Sequence, residues 1–320
     1  MQSNKNNYFK LLNKQYIIQE NTSKSSILLA FLIIVLSCIA LCVNYIFYQF
    51  PGNNYFPDQT YMVGIILVLI NTGLMLSFKR QSYPCLVGKE LIYLYLLMSV
   101  ITLATNAIQL TPFTPIDKHI VAFERLFAIN MISIMDWVDK YPTLKYILGL
   151  SYDTLPYQMT FIPLCIIALG RFQLIRNYYF LMLCSTLIGF VFYYFLPTTA
   201  PASVYKASLF DLKQVATGFK FFEIHHHISP TTKEGGLIAM PSFHVVWALF
   251  MIYLVKEWKV LLVLSTLVNG LLIISCVALG WHYPSDIIGG FIVTWLSFYF
   301  LKGGVILPSA APTNAASEPR

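Results

Sequence analysis

Two short stretches carry nearly all the chemistry-bearing side chains in an otherwise apolar background. They are Met240-Pro241-Ser242-Phe243-His244-Val245 and Gly280-Trp281-His282-Tyr283-Pro284-Ser285-Asp286. Asp286 follows His282 by four positions across a helix start, so its carboxylate can reach one ring nitrogen. A carboxylate so placed fixes the imidazole tautomer and supports the cation that forms when the other nitrogen attacks. His244 then supplies a separate acid for the departing group, which completes a nucleophile, orienter and acid set. Pro241 and Pro284 each sit where a helix should open, a position that tolerates a missing N–H. Helix starts leave amides unpaired and a partial positive charge, so an anion such as phosphate is welcome there. Near Ser242–His244 that anion would also meet the Ser242 hydroxyl. One histidine at a membrane boundary is more often structural. Two histidines, an aspartate and two helix-opening prolines at one depth favour function.

Those residues must be positioned by membrane helices. Of 320 residues, 57% are hydrophobic and 11% charged, with mean hydropathy +0.66; a soluble domain carries about 25% charged residues. Aromatics at 16% suit interfacial belts. The net charge of +7 is spread thinly, so no basic run points to nucleic acid, and the lysines read as topology signals. Cys38, Cys42, Cys165, Cys184 and Cys276 fall in apolar runs and Cys85 in a short loop. None has CxxC spacing, which argues against a disulfide framework and a zinc site.

The expected fold is an all-α integral membrane protein with about eight spans, near 26–49, 61–78, 91–110, 155–170, 178–196, 243–255, 260–280 and 285–301. The first reads as a retained signal anchor behind a polar segment at 1–25. Lys5, Lys10, Lys14, Lys24, Lys79, Arg80, Lys89, Arg171, Arg176, Lys256, Lys259 and Lys302 then fall on one side, and both termini are expected in the cytoplasm. His244 and His282, separated by one helix down, a tight turn and one helix back, return together to the opposite face. An interfacial amphipathic helix is expected over Ile116–Val138, a polar and basic loop over 197–241, and a disordered tail after Gly304. The domain reading is two additional spans at 26–90 and a six-helix catalytic unit at 91–303, with the tail at 304–320.

The paired motifs resemble the type 2 phosphatidic acid phosphatase superfamily, whose pattern runs KxxxxxxRP, then PSGH, then SRxxxxxHxxxD. Pro241-Ser242-Phe243-His244 matches the second element with Phe243 in place of Gly. Ser275, His282 and Asp286 match the third, with Cys276 at its Arg. Phe195-Leu196-Pro197-Thr198-Thr199-Ala200-Pro201 stands at the first, with Leu196 at its Arg and Gly189 at its Lys. These departures look like the branch containing inositol phosphorylceramide synthase and its bacterial relatives, and the likeness extends over about 91–301. The resemblance implies that His282 attacks phosphorus to give a phosphohistidine, Asp286 holds it, and His244 serves as acid and then base. It implies a phosphate-bearing lipid substrate in the bilayer, no cofactor and no metal, and a site at the extracytoplasmic face. That face would be periplasmic in a bacterial inner membrane, or luminal in a eukaryotic secretory membrane. Ser242 and Phe243 would line the substrate. With three family cations absent, Lys233, nearest the motif, is expected to fold in ahead of Lys220 or Lys206. His225-His226-His227 reads as solvated loop rather than a metal site. The rival class is a non-catalytic lipid transporter or lipid-binding protein on the same scaffold.

Overall fold

A computed structural model describes residues 2–205 and 208–303, with side chains from Thr22 onward. Among the described residues the chain is all helical. The helices are α1 (Gln2–Val43, continued by a π-turn at Asn44–Tyr48), α2 (Thr60–Ser77), α3 (Tyr83–Ile108), α4 (Asp117–Leu126), α5 (Met131–Asp139) and α6 (Pro142–Asp153). They continue with α7 (Leu155–Ala168), α8 (Phe172–Phe195), α9 (Leu212–His225), α10 (Phe243–Leu254), α11 (Lys259–Ala278) and α12 (Pro284–Gly303). Lys206, the side chains of Lys5, Lys10 and Lys14, and the tail expected after Gly304 lie outside the described residues.

Six of these helices are long and apolar enough to cross a bilayer: α1 from Thr22, α2, α3, α8, α11 and α12. The other two expected spans, α7 and α10, are apolar but have only 14 and 12 residues. Burial explains why α10 can be short. Val245, Val246, Ala248, Phe250, Met251 and Leu254 are all fully enclosed, so protein rather than lipid surrounds this helix. With α8 it forms the centre of the bundle, and α3, α7, α12 and α1 pack around the pair. The first helix is therefore built into the wall, whereas α2 packs on α3 alone and buries no residue.

Away from the two motifs, one ion pair joins α3 to α8. Arg176 approaches Glu90 Oε1 through Nε at 2.8 Å and Nη2 at 2.7 Å, and the Tyr179 hydroxyl donates to the Glu90 carbonyl. Glu90 is completely buried, so its carboxylate is tolerable only because the guanidinium is present.

The segments that cap the other end depart from expectation. Instead of one helix over 116–138 there are two, because α4 ends at Leu126 and Asn130 starts a new helix. Its side chain accepts from Ile132 and Ser133 N–H groups, the usual N-cap pattern, and Ala128 turns the chain at φ +56. A third short helix, α6, opens on Pro142. The expected loop at 197–241 contains α9, started by a reciprocal Asp211–Gln214 capping box.

The Glu90–Arg176 pair yields a stability prediction. Arg176→Met should cost about 3–5 kcal/mol, because it leaves the buried Glu90 uncompensated, while Glu90→Gln should cost less because Arg176 is only partly buried, and the double variant should recover most of the loss. Thermal unfolding of the detergent-purified variants measures both.

Candidate active site

The two motifs meet because α12 starts against the start of α10. The Ser242 N–H donates to the Asp286 carbonyl at 3.0 Å. Gly290 permits that approach, since a Cβ there would lie 2.7 Å from the Ser242 oxygen and 2.8 Å from Val245. The chain leaves α11 through Gly280 at φ +82, a left-handed turn that suits glycine. His282 N–H then closes back on the Cys276 carbonyl at 2.8 Å, which aims the ring inward.

His244 Nδ1 and His282 Nε2 are 3.1 Å apart. On its other side His282 Nδ1 faces two acceptors, the Ala239 carbonyl at 3.0 Å and Asp286 Oδ2 at 3.3 Å. Two acceptors require a proton on Nδ1, which leaves Nε2 with its lone pair toward His244. Asp286 Oδ2 also accepts from the Tyr283 N–H at 2.9 Å, so the carboxylate is itself held. Burial pushes the His282 imidazole down to about 4, with the Ala239 carbonyl opposing. The ring is thus neutral at pH 7, with the Nε2 lone pair free of a proton. Over His244 lies a stack of aromatic faces: Tyr152 sits 4.6 Å from the His244 ring and 5.1 Å from Trp281.

The anion site expected at both helix starts survives at only one. At α10 the N-cap Ser242 makes no side-chain cap, and its buried hydroxyl faces only the weakly bonding Cys276 thiol. The first-turn amides and this hydroxyl therefore remain available for an anion. At α12 the place is taken. Glu124 Oε1 accepts from both the N–H and the hydroxyl of Ser285 at 2.8 Å. A second carboxylate from α4 works alongside it. Asp117 takes the Thr199 N–H with both oxygens, at 2.8 and 3.0 Å, and the Thr199 hydroxyl. Burial raises the Asp117 carboxyl to about 6, against the pull of these donors. Neighbouring Thr198 accepts from the Met240 N–H at 2.7 Å. Sequence reasoning saw Asp117 and Glu124 only as the polar face of an amphipathic helix.

A model of the PAP2 superfamily matches residues 118–300. The chain belongs to the PAP2 superfamily. No match is found among the curated proteins or the solved structures. The matched stretch runs from α4 through nearly all of α12 and contains both motifs; α1 to α3 lie before it. Membership in the PAP2 superfamily makes the departures from its motif a packing question. A Cβ on Gly189, the position of the motif lysine, would lie 2.6 Å from Phe243 Cζ. Phe243 is buried, edge-on to Phe190 at 5.2 Å. The bulky residue in Pro-Ser-Phe-His and the missing lysine are thus two halves of one fit. Cys276, at the arginine position, is fully buried, and Leu196 is exposed.

The expected replacement cation is not where it was sought. Lys233 is exposed on its loop. Lys220 is the lysine that folds in: its ammonium is 3.3–3.4 Å from the carbonyls of Lys233, Gly235 and Gly236. Burial lowers it to about 8. Among the described residues, no lysine or arginine hydrogen-bonds to the histidine pair. His225, expected as solvated loop, instead ends α9 with both ring nitrogens 2.8 Å from carbonyl oxygens, those of Phe221 and Thr111. His226 and His227 are exposed, as expected.

Two outcomes follow. A reaction that needs neutral His282 should keep its rate as pH falls through the ordinary histidine range near 6.5 and lose it only near 4; the acid limb of kcat/KM reads this directly. Gly189→Ala should lower stability by about 1–3 kcal/mol through overpacking against Phe243, and Phe243→Leu in the same chain should restore it. Thermal unfolding of the single and double variants checks the pairing.

Proposed function

We propose that the chain is a membrane enzyme that transfers a phosphoryl group from a lipid through a phosphohistidine on His282. The observation that carries this reading is the 3.1 Å approach of the two imidazoles, with His282 Nδ1 anchored on the far side. A phosphorus atom entering between them would meet the Nε2 lone pair of His282 and the Nδ1–H of His244.

In the first step Nε2 forms the N–P bond while the P–O bond to the leaving group breaks. His244, packed against His282 and Tyr152 and neutral in the resting site, takes up a second proton with the arriving anion and gives it to the departing oxygen. The charge on phosphohistidine is carried by Nδ1–H against Asp286 and the Ala239 carbonyl. In the second step neutral His244 takes a proton from the acceptor, whose oxygen displaces Nε2 from phosphorus. The equatorial oxygens need compensation throughout. Here the α10 amides and the Ser242 hydroxyl would supply it. Superfamily membership supports phosphatase or phosphotransferase chemistry in general.

Water as acceptor makes the protein a lipid phosphatase; a hydroxylated acceptor makes it a phosphotransferase. The Phe243, Cys276 and Leu196 departures favour the second, in the branch containing inositol phosphorylceramide synthase. The Lys and Arg distribution favours an extracytoplasmic site. A lipid transporter on the same scaffold is the competing reading, and its mark would be function that survives loss of His282.

Incubating the purified protein with radiolabelled lipid phosphates, with and without an alcohol, followed by thin-layer chromatography, separates these outcomes. His282→Ala should abolish turnover and any trapped phosphoenzyme. His244→Ala should slow turnover by about 10²–10⁴-fold, and a substrate with an activated leaving group should restore phosphoenzyme formation. Full lipid handling by His282→Ala would end the enzymatic reading.

A further inference from the structure

Two features are left without a role by the catalytic reading: the first helix and the His225-His226-His227 run. They meet at one place. Between α1, α3 and α8, at the motif-bearing end of the bundle, lies a cleft of about 380 Å³. Leu36, Ala40, Ala107, Phe190 and Val191 are among its walls. The Ser37 hydroxyl at its edge is already engaged by the Ile33 carbonyl at 2.7 Å. Water would find few partners there, so inside a bilayer the natural occupant is hydrocarbon.

The mouth of the cleft leads to the histidines. Tyr48 lines the cleft and stacks on Phe50 at 5.4 Å; Phe50 in turn meets His225 at 4.8 Å and His227 at 5.3 Å. Pro112 also lines the cleft, and the carbonyl of its neighbour Thr111 is the one bound to His225 Nε2. His225 is thereby fixed as part of the frame. His226 and His227 remain exposed, and among the described residues His226 Nε2 and both ring nitrogens of His227 have no hydrogen-bond partner.

The helix that ends in these histidines is inside out. Leu212, Val215, Phe219 and Phe222 form an exposed stripe, while Gln214, Thr217 and Lys220 are buried. A stripe of this kind belongs at the boundary between headgroups and acyl chains. The end of this helix meets, through His225 and Phe50, the end of α1, where Tyr45, Ile46 and Phe47 are also exposed.

We propose that this corner binds a phospholipid, with one hydrocarbon chain in the α1–α3–α8 cleft and its phosphate oxygens on the imidazole N–H groups of His226 and His227. The site is separate from the His244–His282 pair and does not depend on the catalytic reading.

Native mass spectrometry of protein released from mixed vesicles of phosphatidylglycerol and diacylglycerol with identical chains tests this. Performing it in the His282→Ala background removes turnover from the result. The parent should retain one phosphatidylglycerol in preference to diacylglycerol. His226→Gln with His227→Gln should reduce that preference by about tenfold. Ala40→Trp should displace both lipids, and Ala40→Ser should not. A phosphatidylglycerol analogue with a diazirine near its chain end should label α1, α3 and α8 in the unsubstituted protein, whatever the variants' stability. An unchanged preference in the double histidine variant, undiminished retention by a folded Ala40→Trp protein, or labelling elsewhere would overturn the proposal.

Discussion

The contact between the starts of α10 and α12 is the constraint on which the site depends. On the proposed reading neither motif suffices alone: His244 without His282 would lack a nucleophile, and His282 without the α10 start would lack amides for an anion. The Ser242 N–H to Asp286 carbonyl bond couples the two backbones directly, and Asp286 spends its side chain on His282 and the Tyr283 N–H. One residue thus links both helix starts and the proposed nucleophile. Gly290 is required because any Cβ would press on Ser242 and Val245. A site built this way is rigid for a specific reason: each partner is backbone, or a side chain held by backbone.

Carboxylates from α4 extend the same logic outward. Asp117 holds Thr199, Thr198 holds Met240, and Glu124 holds Ser285. The three contacts join the segment after α8, the segment before α10 and the first turn of α12 to one interfacial helix. Glu124 also occupies a helix start that would otherwise attract phosphate. The protein therefore offers an anion one helix start beside His282 instead of two, which directs it toward Ser242.

Spans and chemistry were legible in the sequence for different reasons. Long apolar runs mark α1, α2, α3, α8, α11 and α12, because lipid selects composition over some 20 residues. The His/His/Asp set is legible because polar residues are conspicuous where polarity is costly. The α4 clamps were not legible, since Asp117 lies 82 positions from Thr199 and Glu124 lies 161 from Ser285. Nothing local distinguishes a carboxylate facing water from one facing a distant amide. Lys233 was favoured over Lys220 by proximity in sequence, but on a folded-back loop its carbonyl, not its ammonium, became the contact. The case of α9 is different. Its Asp211–Gln214 capping box was readable, but the polar and basic residues over 197–241 read as a loop and masked the helical spacing of Leu212, Val215, Phe219 and Phe222. They face outward, and an exposed apolar stripe of this kind would suit a bilayer boundary.

If the site takes a phosphate, as proposed, the motif departures amount to one change in how its charge would be met. A lysine at position 189 and a phenylalanine at 243 compete for the same space, so adopting Phe243 excludes that cation by volume. Cys276, beneath Ser242, is wholly enclosed, and an arginine there would need a partner for its buried charge. What remains to meet the anion are dipoles: first-turn amides and the Ser242 hydroxyl at the start of α10. Dipoles fixed by a helix need no reorganisation during transfer and are strongest where water is excluded. The enclosure of His282 therefore serves two ends, since the burial that keeps the ring neutral also strengthens the amides opposite it.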